Sequence, residues 1–457
     1  MKNTISRRQF IQFAGAGTLT YFLPGLPGLR AQNAATNDHF FLQLFVPGGF
    51  DSSLLFDARP LAMTQAGLIH NYPGKEPVKW EGTNGQWTWA SPFAEPLNAL
   101  KNELSICNGL LMAPSFDGHD QNTNYYLSGN PFGGDCFLPH LNEYGTKLPI
   151  DAALNQMLFA TIDNGGNMVP MDYYTLQTLI EKLKADAPLD MNDPLWQFIS
   201  GRYKENAELA PAGMFSRGSA MMMRSLPTAA ALESIVKQIK LGSTTGDSTA
   251  FLYVVGELFK ARIARTAIFS PSFQQQVDCH DVNSAKNHHL VAGALVDYIV
   301  KTVAFLKATP FDGTRSLYDV TTVSITSEFS RTMRQAGRKI DDTGTDHNNL
   351  TNTIILCGKG IKGGLVLGES DFRVVGEQLS GAHKKRDLQT VKSMGKPFDF
   401  STFKPRADLP EEYDYRNYLH VHSVVNTLYE LFGVPKTKWR APERDAPPSP
   451  VLKPLLA

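Results

Sequence analysis

Four apolar runs of strand length constrain the fold of this chain more than any other feature. The first, residues 39–46 (HFFLQLFV), is almost continuously apolar and stops at Pro47-Gly48-Gly49. The other three lie further along the chain, at residues 104–111 (LSICNGLL), 320–326 (VTTVSIT) and 353–357 (TIILC). Runs of this length and composition are typical of strands that are buried on both faces of a sheet.

Helical patterns fill the intervals between these runs. Apolar residues recur at helical spacing over residues 229–241, 249–268, 290–306 and 422–432. Strands that alternate with helices predict an α/β fold, in which helices cover both faces of a mostly parallel sheet. We expect residues 185–270 to form a helical insertion. The sequence has no Pro/Gly/Ser-rich linker, so we expect a single domain over residues 36–457.

The first 35 residues have the pattern of a twin-arginine export signal. Arg7 and Arg8 precede a short apolar run at residues 13–23, which two prolines then interrupt. The alternative is a chance Arg-Arg pair ahead of an amphipathic helix. A membrane-spanning helix needs about 20 apolar residues, so we expect no stable membrane span in the mature protein. The sequence therefore predicts a removable signal at residues 1–35 and a periplasmic or extracellular mature protein.

Charge and cysteine content argue against several classes of function. The chain has 44 basic and 44 acidic residues, so it lacks the positive charge that nucleic-acid binding needs. Its four cysteines are too widely spaced for a Cys-x-x-Cys zinc site or a c-type haem. Cys107 and Cys136 could form a disulfide, or all four could be buried thiols. No Gly-x-Gly-x-x-Gly follows a predicted strand, so nothing indicates a nucleotide cofactor.

Carboxylate and imidazole side chains recur just after the predicted strands, where an α/β fold brings its loops together. The candidate metal ligands are Asp51, Asp278, His280, Asp346, His347 and His422, and the candidate catalytic residues are Ser115, His119 and Arg331. Each also has a structural alternative. Asp51 suits a turn, the segment before His119 suits a helix N-cap, and a single histidine is more often structural than a ligand.

Divalent metal ions, zinc, manganese or similar, suit such a set because they accept nitrogen and oxygen ligands. Two metals about 3.5–4 Å apart can clamp the oxygens of an in-line displacement at a tetrahedral centre. Arg331 could neutralise the anionic oxygens through a bidentate contact. The alternative for Arg331 is a surface ion pair with Glu328.

Several motifs resemble those of a twin-arginine-exported bacterial family, catalogued as domain of unknown function 1501, in the alkaline phosphatase-like superfamily. The most specific are SEFSRT at residues 327–332 and GTDH at residues 344–347, which resemble the family's SEFGRT and G-x-DH. Supporting likenesses are Asp278-Cys279-His280 to D-T-H, residues 48–51 to GG-x-D, residues 119–129 to SHF…SG, and residues 361–364 to its IKGG. The resemblance covers essentially the whole mature chain.

The resemblance implies an alkaline phosphatase-like sheet flanked by helices, and hydrolysis or transfer of a phosphate or sulfate ester with two metals. Matched position by position, it assigns Asp51, Asp346 and His347 to one metal. It assigns Asp278, His280 and a late histidine, His422, to the other. We therefore expect an exported hydrolase whose substrate is a small anionic ester.

Gly118 departs from the family pattern, which has serine at this position. In the superfamily a nucleophilic hydroxyl stands at the start of the helix that begins here, and glycine has none. Ser115, Ser52 or Ser53 could supply the hydroxyl, or water could attack directly at the metal. Alternatively, the chain is a non-catalytic binding or assembly protein on the same fold, with an envelope component as its partner.

Overall fold

The computed structural model describes most of the chain apart from its start and two long internal stretches. The described residues are 38–60, 68–69, 76–113, 115–144, 160–162, 168–170, 249–260, 265–271, 273–332, 334–335, 344–371, 393–408, 414–442 and 446–457. The predicted signal at residues 1–35 and most of the predicted insertion at residues 185–270 lie outside these ranges, as does the predicted helix at residues 229–241.

A six-stranded sheet forms the centre of the molecule. Its strands, in chain order, are β1 (Phe40–Val46), β2 (Ser105–Cys107), β3 (Thr266–Phe269), β4 (Thr321–Ser327), β5 (Ile354–Gly358) and β6 (Val366–Leu367). Across the sheet they follow the order β6-β2-β5-β4-β1-β3. β1 pairs in parallel with β3 and β4, β6 is parallel to β2, and β5 is antiparallel to both its neighbours. The sheet is therefore mostly parallel, as predicted, with one reversed strand.

The side chains of β1 alternate between two hydrophobic cores, one on each face of the sheet. Phe40, Leu42 and Leu44 pack in the first core, whereas Phe41 and Phe45 pack in the second. This alternation follows from strand geometry, in which successive side chains point to opposite faces. The near-continuous apolar run of the sequence thus corresponds to a strand that is buried on both sides.

Helices cover both of these faces. The described α-helices are α1 (His119–Ser128), α2 (Phe137–Tyr144), α3 (Thr249–Lys260), α4 (Val282–Ala308) and α5 (Val421–Phe432). Apolar residues of α3 and α4 belong to the first core, and those of α1, α2 and α5 belong to the second. The fold is a three-layer α/β arrangement, which confirms the predicted class.

Short elements connect and flank the sheet. The two-stranded ribbons pair Leu68–Ile69 with Arg334–Gln335, Val78–Glu81 with Trp87–Ala90, Ala160–Ile162 with Met168–Pro170, Ser330–Arg331 with His347–Asn348, Ser370–Asp371 with Met394–Gly395, and Phe398–Asp399 with Lys404–Pro405. The 3-10 helices are Ser52–Leu54, Pro92–Leu100, Tyr318–Val320, Tyr415–Asn417, Lys436–Lys438 and Lys453–Leu455.

All four strands predicted from apolar runs are present, as β1, β2, β4 and β5, although β2 is shorter than predicted. The helix predicted over residues 249–268 is wrong at its end, because α3 spans Thr249–Lys260 and Thr266–Phe269 forms β3. A short apolar segment buried beside β1 satisfies a helical pattern and a strand pattern equally well. The end of the predicted insertion therefore belongs to the sheet.

The four cysteines are buried, and the longest of the described helices, α4, packs one face in the interior. All four cysteines are buried free thiols, so Cys107 and Cys136 do not form a disulfide. By length and composition alone, α4 could cross a membrane, but half of its most apolar window is buried inside the protein. Its apolar residues pack in the first core, which accounts for its composition.

Candidate metal centre

One edge of the sheet gathers the segments that carry the candidate ligands. β1, β3 and β4 run in the same direction, so the segments that follow them leave from one edge. β5 runs the opposite way, so the segment that precedes it, residues 344–349, also lies at that edge. A short ribbon then joins the two sides, because Arg331 pairs with His347 and Ser330 with Asn348.

Four side chains converge at this edge: His119, Asp278, His280 and His347. Each contributes one nitrogen or oxygen atom to a group in which all atoms lie within 4.8 Å of one another. The Nε2 atoms of His280 and His347 are 2.8 Å apart. The Asp278 carboxylate lies 3.2 Å from His280 Nε2 and 3.4 Å from His119 Nε2. We call this group the four-residue cluster.

A buried carboxylate fixes the orientation of His119. His119 Nδ1 lies 2.7 Å from Glu328 Oε1, and Glu328 is only 1% exposed. The same carboxylate accepts hydrogen bonds from the Gly48 N–H (2.7 Å) and the Ser327 hydroxyl (2.9 Å). Nδ1–H of His119 therefore donates to Glu328. Its Nε2 faces the cluster, buried and without a hydrogen bond.

Arg331 fixes the orientation of Asp278. Its side chain is fully buried, and its Nη2 lies 2.5 Å from Asp278 Oδ1. It also donates to the backbone carbonyls of Gly48 and Gly49. Burial raises the pKa of Asp278, but the hydrogen bond and charge of Arg331 outweigh this effect and hold the pKa below its usual value. Arg331 therefore pairs with Asp278 in a buried position and not with Glu328 at the surface. This ion pair holds the carboxylate of Asp278 in its ionised form.

His347 is held as a neutral imidazole. Its Nδ1–H donates to the backbone carbonyl of Asp117 at 2.5 Å, which directs its Nε2 towards His280. Burial, the largest cause, and the charges of the neighbouring His119 and Arg331 together lower the pKa of His347 to about 4. A neutral imidazole with an unprotonated ring nitrogen is the form that binds a metal ion.

Two glycines allow the backbone to approach the cluster closely. Gly48 has φ of +103°, and a Cβ atom there would lie 2.9 Å from the backbone nitrogen of Asp278. A Cβ atom on Gly344 would lie 2.1 Å from the carbonyl oxygen of His280. Any larger residue would push the segment that carries Asp278 and His280 out of place.

The donor set fits a divalent cation such as zinc. Three imidazole nitrogens and one carboxylate oxygen are a ligand combination that zinc accepts with four-fold coordination. The Nε2 atoms of His280 and His347 lie close enough that the lone pairs of both can point at one shared cation. The hydrogen bonds from His119 to Glu328 and from His347 to Asp117 are the outer contacts that metal-binding histidines usually make.

The structure places the other predicted residues around or away from the cluster. Asp346 lies at its edge, with Oδ1 3.9 Å from His280 Nδ1. The buried Asp51 carboxylate accepts a hydrogen bond from the Ser53 N–H at 2.9 Å, and it is not one of the four. Ser115 is exposed at the surface.

His422 lies in the second core rather than among the four. Its ring nitrogens face two backbone carbonyls, those of Tyr125 at 3.0 Å and Ala441 at 2.9 Å. The ligand grouping expected from the family resemblance therefore differs from the structure, in which His347 joins Asp278 and His280. The cause is the ribbon that pairs Arg331 with His347, because it draws the segment before β5 to the loop after β4. Among the described residues, no second group of three or more such donors occurs.

Some supporting contacts gave no signal in the sequence. Asp117 acts through its backbone carbonyl, which any residue carries. The Cys279 thiol lies 2.9 Å from His288 Nδ1 and 3.0 Å from Thr345 Oγ1, and so ties three segments together behind the cluster. The spacing of Cys279 from the other cysteines indicated only that it would be buried.

Part of the chain matches a protein-family model. Residues 278–392 match a family model described as "Protein of unknown function (DUF1501)". The family resemblance is confirmed over these residues, a quarter of the chain. The DUF1501 match contains Asp278, His280 and His347, which are three of the four residues in the cluster.

Beyond the DUF1501 model, the chain has only weak likeness to characterised proteins. No curated protein matches the sequence. One solved structure that matches is the lipoteichoic acid synthase LtaP from Listeria monocytogenes, with 9% sequence identity and a TM-score of 0.27. The match covers 73% of this chain and 68% of that one. At this TM-score the likeness supports no assignment of substrate or mechanism.

Proposed function

We propose that this protein is an exported, metal-dependent hydrolase of phosphate or sulfate esters. The observation that carries the proposal is the convergence of three imidazole nitrogens and one carboxylate within 4.8 Å at the edge of the sheet. The family resemblance over residues 278–392 supports it, because three of the four ligands lie in that segment.

His119, Asp278, His280 and His347 would hold the metal ion. When bound, such an ion supplies Lewis-acid stabilisation of the charge that develops on ester oxygens. The cluster is open enough for a small anion to reach, since the side chains of His119, Asp278 and His280 are 33%, 38% and 48% exposed. The outer face of the cluster is therefore where the ester would bind.

The surrounding residues act by orienting the ligands. Glu328 accepts the Nδ1 hydrogen of His119 and keeps Nε2 directed at the cluster. Arg331 holds the Asp278 carboxylate in place, and its own Nη1 is buried without a hydrogen bond. In the reaction, the oxygen of water bonds to phosphorus or sulfur and keeps one of its two protons. The bond from phosphorus or sulfur to the ester oxygen breaks, and the other proton of the water leaves with that oxygen in the alcohol. A second metal ion, implied by the family resemblance, is part of the proposal only if further donors join the four.

Export through the twin-arginine pathway is part of the same proposal. This pathway carries folded proteins, so the metal could be loaded before the protein crosses the membrane. Such a protein would act in the periplasm or outside the cell, on a small anionic ester. The proposal rests on Arg7, Arg8 and the apolar run that follows them.

A second candidate function is binding or assembly in the cell envelope without catalysis. It is favoured by the helix start at Gly118, which has no hydroxyl to act as a nucleophile. Ser52 is a poor substitute because it is buried and its hydroxyl is hydrogen-bonded to that of Ser330 at 2.8 Å. The two candidates differ in whether the metal centre turns over an ester.

Hydrolysis assays with the mature protein distinguish them. Phenyl phosphate and phenyl sulfate are offered to protein loaded with zinc or with manganese, beside a His347→Ala variant and a His289→Ala control. His289 is a half-buried histidine on α4 that stacks on Phe93 and lies outside the cluster. We expect turnover that is lost in His347→Ala and retained in His289→Ala. Absence of turnover by the metal-loaded wild type with every ester would favour the binding protein.

A further inference from the structure

Two phenylalanine rings, an exposed one (Phe132) and a partly buried one (Phe116), form an apolar pair at the surface. The ring centroids of Phe116 and Phe132 are 5.3 Å apart, and the ring planes meet at 81°, an edge-to-face contact. Phe132 is 74% exposed, more than any other large apolar side chain in the described part of the chain. Exposure of such a surface to water is unfavourable, so removal of water from it would make the binding of an apolar ligand more favourable.

Hydrogen bonds hold the backbone at Phe116 and Phe132 in place. The N–H of Phe116 donates to the carbonyl of Ala113 at 3.0 Å, and its carbonyl accepts from the Asn122 side chain at 3.0 Å. The N–H of Phe132 donates to the side-chain oxygen of Asn130 at 3.0 Å. The N–H of the next residue, Gly133, donates to the Asn130 carbonyl at 3.0 Å. The pair is therefore presented by a fixed backbone on both sides.

The same backbone connects the rings to the metal centre. Phe116 directly precedes Asp117, whose carbonyl accepts the Nδ1 hydrogen of His347. His119 follows three residues after Phe116. Since consecutive Cα atoms are about 3.8 Å apart, the Cα atoms of Phe116 and His119 are within roughly 11 Å of each other. Phe116, which contacts Phe132, thus stands on the backbone segment that enters the four-residue cluster.

Resting on the proposed function, we infer that Phe116 and Phe132 bind the apolar, preferably aromatic, group that the substrate carries on its ester oxygen. Glu328 and Arg331 are buried behind the cluster, so the organic group of a bound ester would extend towards solvent. The exposed Phe132 ring contacts Phe116, three residues before His119, and aromatic groups bind one another by offset or edge-to-face contact. The inferred substrate class is a phosphate or sulfate monoester of an aromatic alcohol.

Binding of two unreactive anions tests the inference. Phenylphosphonate and methylphosphonate share an anionic head and differ in the group that would meet the rings. Isothermal titration of the metal-loaded mature protein should show phenylphosphonate binding about tenfold more tightly. In Phe132→Ser this preference should fall below about threefold, whereas the affinity for methylphosphonate should stay unchanged. Phe132 is mostly exposed, so the substitution should not affect folding.

Tyr253→Ser is the matched control. Tyr253 is also an exposed aromatic residue, at 56%, and it contacts Phe305 with ring centroids 5.1 Å apart. Phe305 is near the far end of α4, roughly 36 Å along the helix from Asp281, which lies beside the cluster. The preference for phenylphosphonate should therefore be retained in Tyr253→Ser.

Three results would overturn the inference. The first is that the wild type binds the two phosphonates equally well or binds neither. The second is that Phe132→Ser keeps the preference for phenylphosphonate. The third is that this substitution converts an oligomer to a monomer. The last result would mean that the rings contact a second copy of the chain. Failure of the proposed function is a separate outcome. Ring-dependent binding without turnover of phenyl phosphate would refute the hydrolase alone, and turnover without a phenyl preference would refute the ring inference alone.

Discussion

At the scale of single residues, the cluster depends on side chains that touch its ligands as much as on the ligands themselves. Glu328 orients His119, Arg331 orients Asp278, and the Asp117 carbonyl orients His347. The residues of the cluster could be identified as candidates from the sequence because aspartate and histidine recur after predicted strands. Their grouping could not be predicted, because which candidates meet depends on strand direction and on backbone contacts that no residue type reveals.

Glu328→Gln should weaken metal binding without unfolding the protein. Glutamine keeps the size of the side chain but removes the charge that accepts the Nδ1 hydrogen of His119. Loss of such an outer contact typically costs about 10–100-fold in metal affinity. Competition against a zinc chelator measures the effect, with Glu103→Gln as the control, since Glu103 pairs with Lys307 away from the cluster. Equal zinc affinity of Glu328→Gln and the wild type would contradict the role given to Glu328.

Gly344→Ala should disturb the cluster through the backbone. The new Cβ atom would lie 2.1 Å from the His280 carbonyl oxygen, so one of the two segments must move. We expect a lower melting temperature and weaker metal binding. Gly293→Ala is the matched control, because nothing lies within 4 Å of its Cβ position on α4. Alanine in a helix is favoured over glycine by about 1 kcal/mol, so this variant should melt at the same or a higher temperature. A Gly344→Ala variant that matched the wild type in both measurements would exclude close packing at this site.

At the scale of elements, the reversed strand β5 is what completes the site. If β5 were parallel to β4, the segment with His347 would leave from the opposite edge of the sheet. The sequence predicted β5 as a strand correctly, but its direction is set by pairing with β4 and with β2, and β2 lies far away in the chain. The helix wrongly extended over residues 266–268 has a similar origin, since burial beside β1 decided the outcome there.

The packing of α5 makes a prediction about acid stability. Burial lowers the pKa of His422, near the start of α5, from 6.5 to about 4. Between these values the unfolded chain binds a proton that the folded protein does not, so stability is lost as the pH falls from 6.5 towards 4. Above pH 6.5 both states are neutral, and the full contribution is present. The loss from this one group should amount to a few kcal/mol.

Urea unfolding of the metal-free protein at pH 8 and pH 4.5 measures this contribution. We compare the wild type with His422→Gln, which has no titrating group at this position. The wild type should be more stable at pH 8, because its imidazole fills a buried space and donates to a backbone carbonyl. Its advantage should shrink at pH 4.5. The same difference in free energy of unfolding at both pH values would contradict the prediction.

At the scale of the whole molecule, the architecture separates stability from chemistry. Two hydrophobic cores on the faces of the sheet hold the layers together, and the four-residue cluster lies at one edge, partly open to solvent. The α/β class followed from the alternation of apolar runs and helical patterns, which long buried elements such as β1 and α4 display clearly. Short elements such as β6, and the ribbon that joins Arg331 to His347, are too brief to leave a pattern.

Metal content of the mature protein shows whether the four-residue cluster binds a divalent cation. Wild type, His280→Ala and the control His289→Ala are each incubated with zinc, dialysed, and measured by plasma mass spectrometry. We expect at least one equivalent of bound zinc in the wild type and in His289→Ala, and its loss from His280→Ala. Zinc that is absent from all three proteins, or retained equally by His280→Ala, would contradict the metal centre and the function proposed from it.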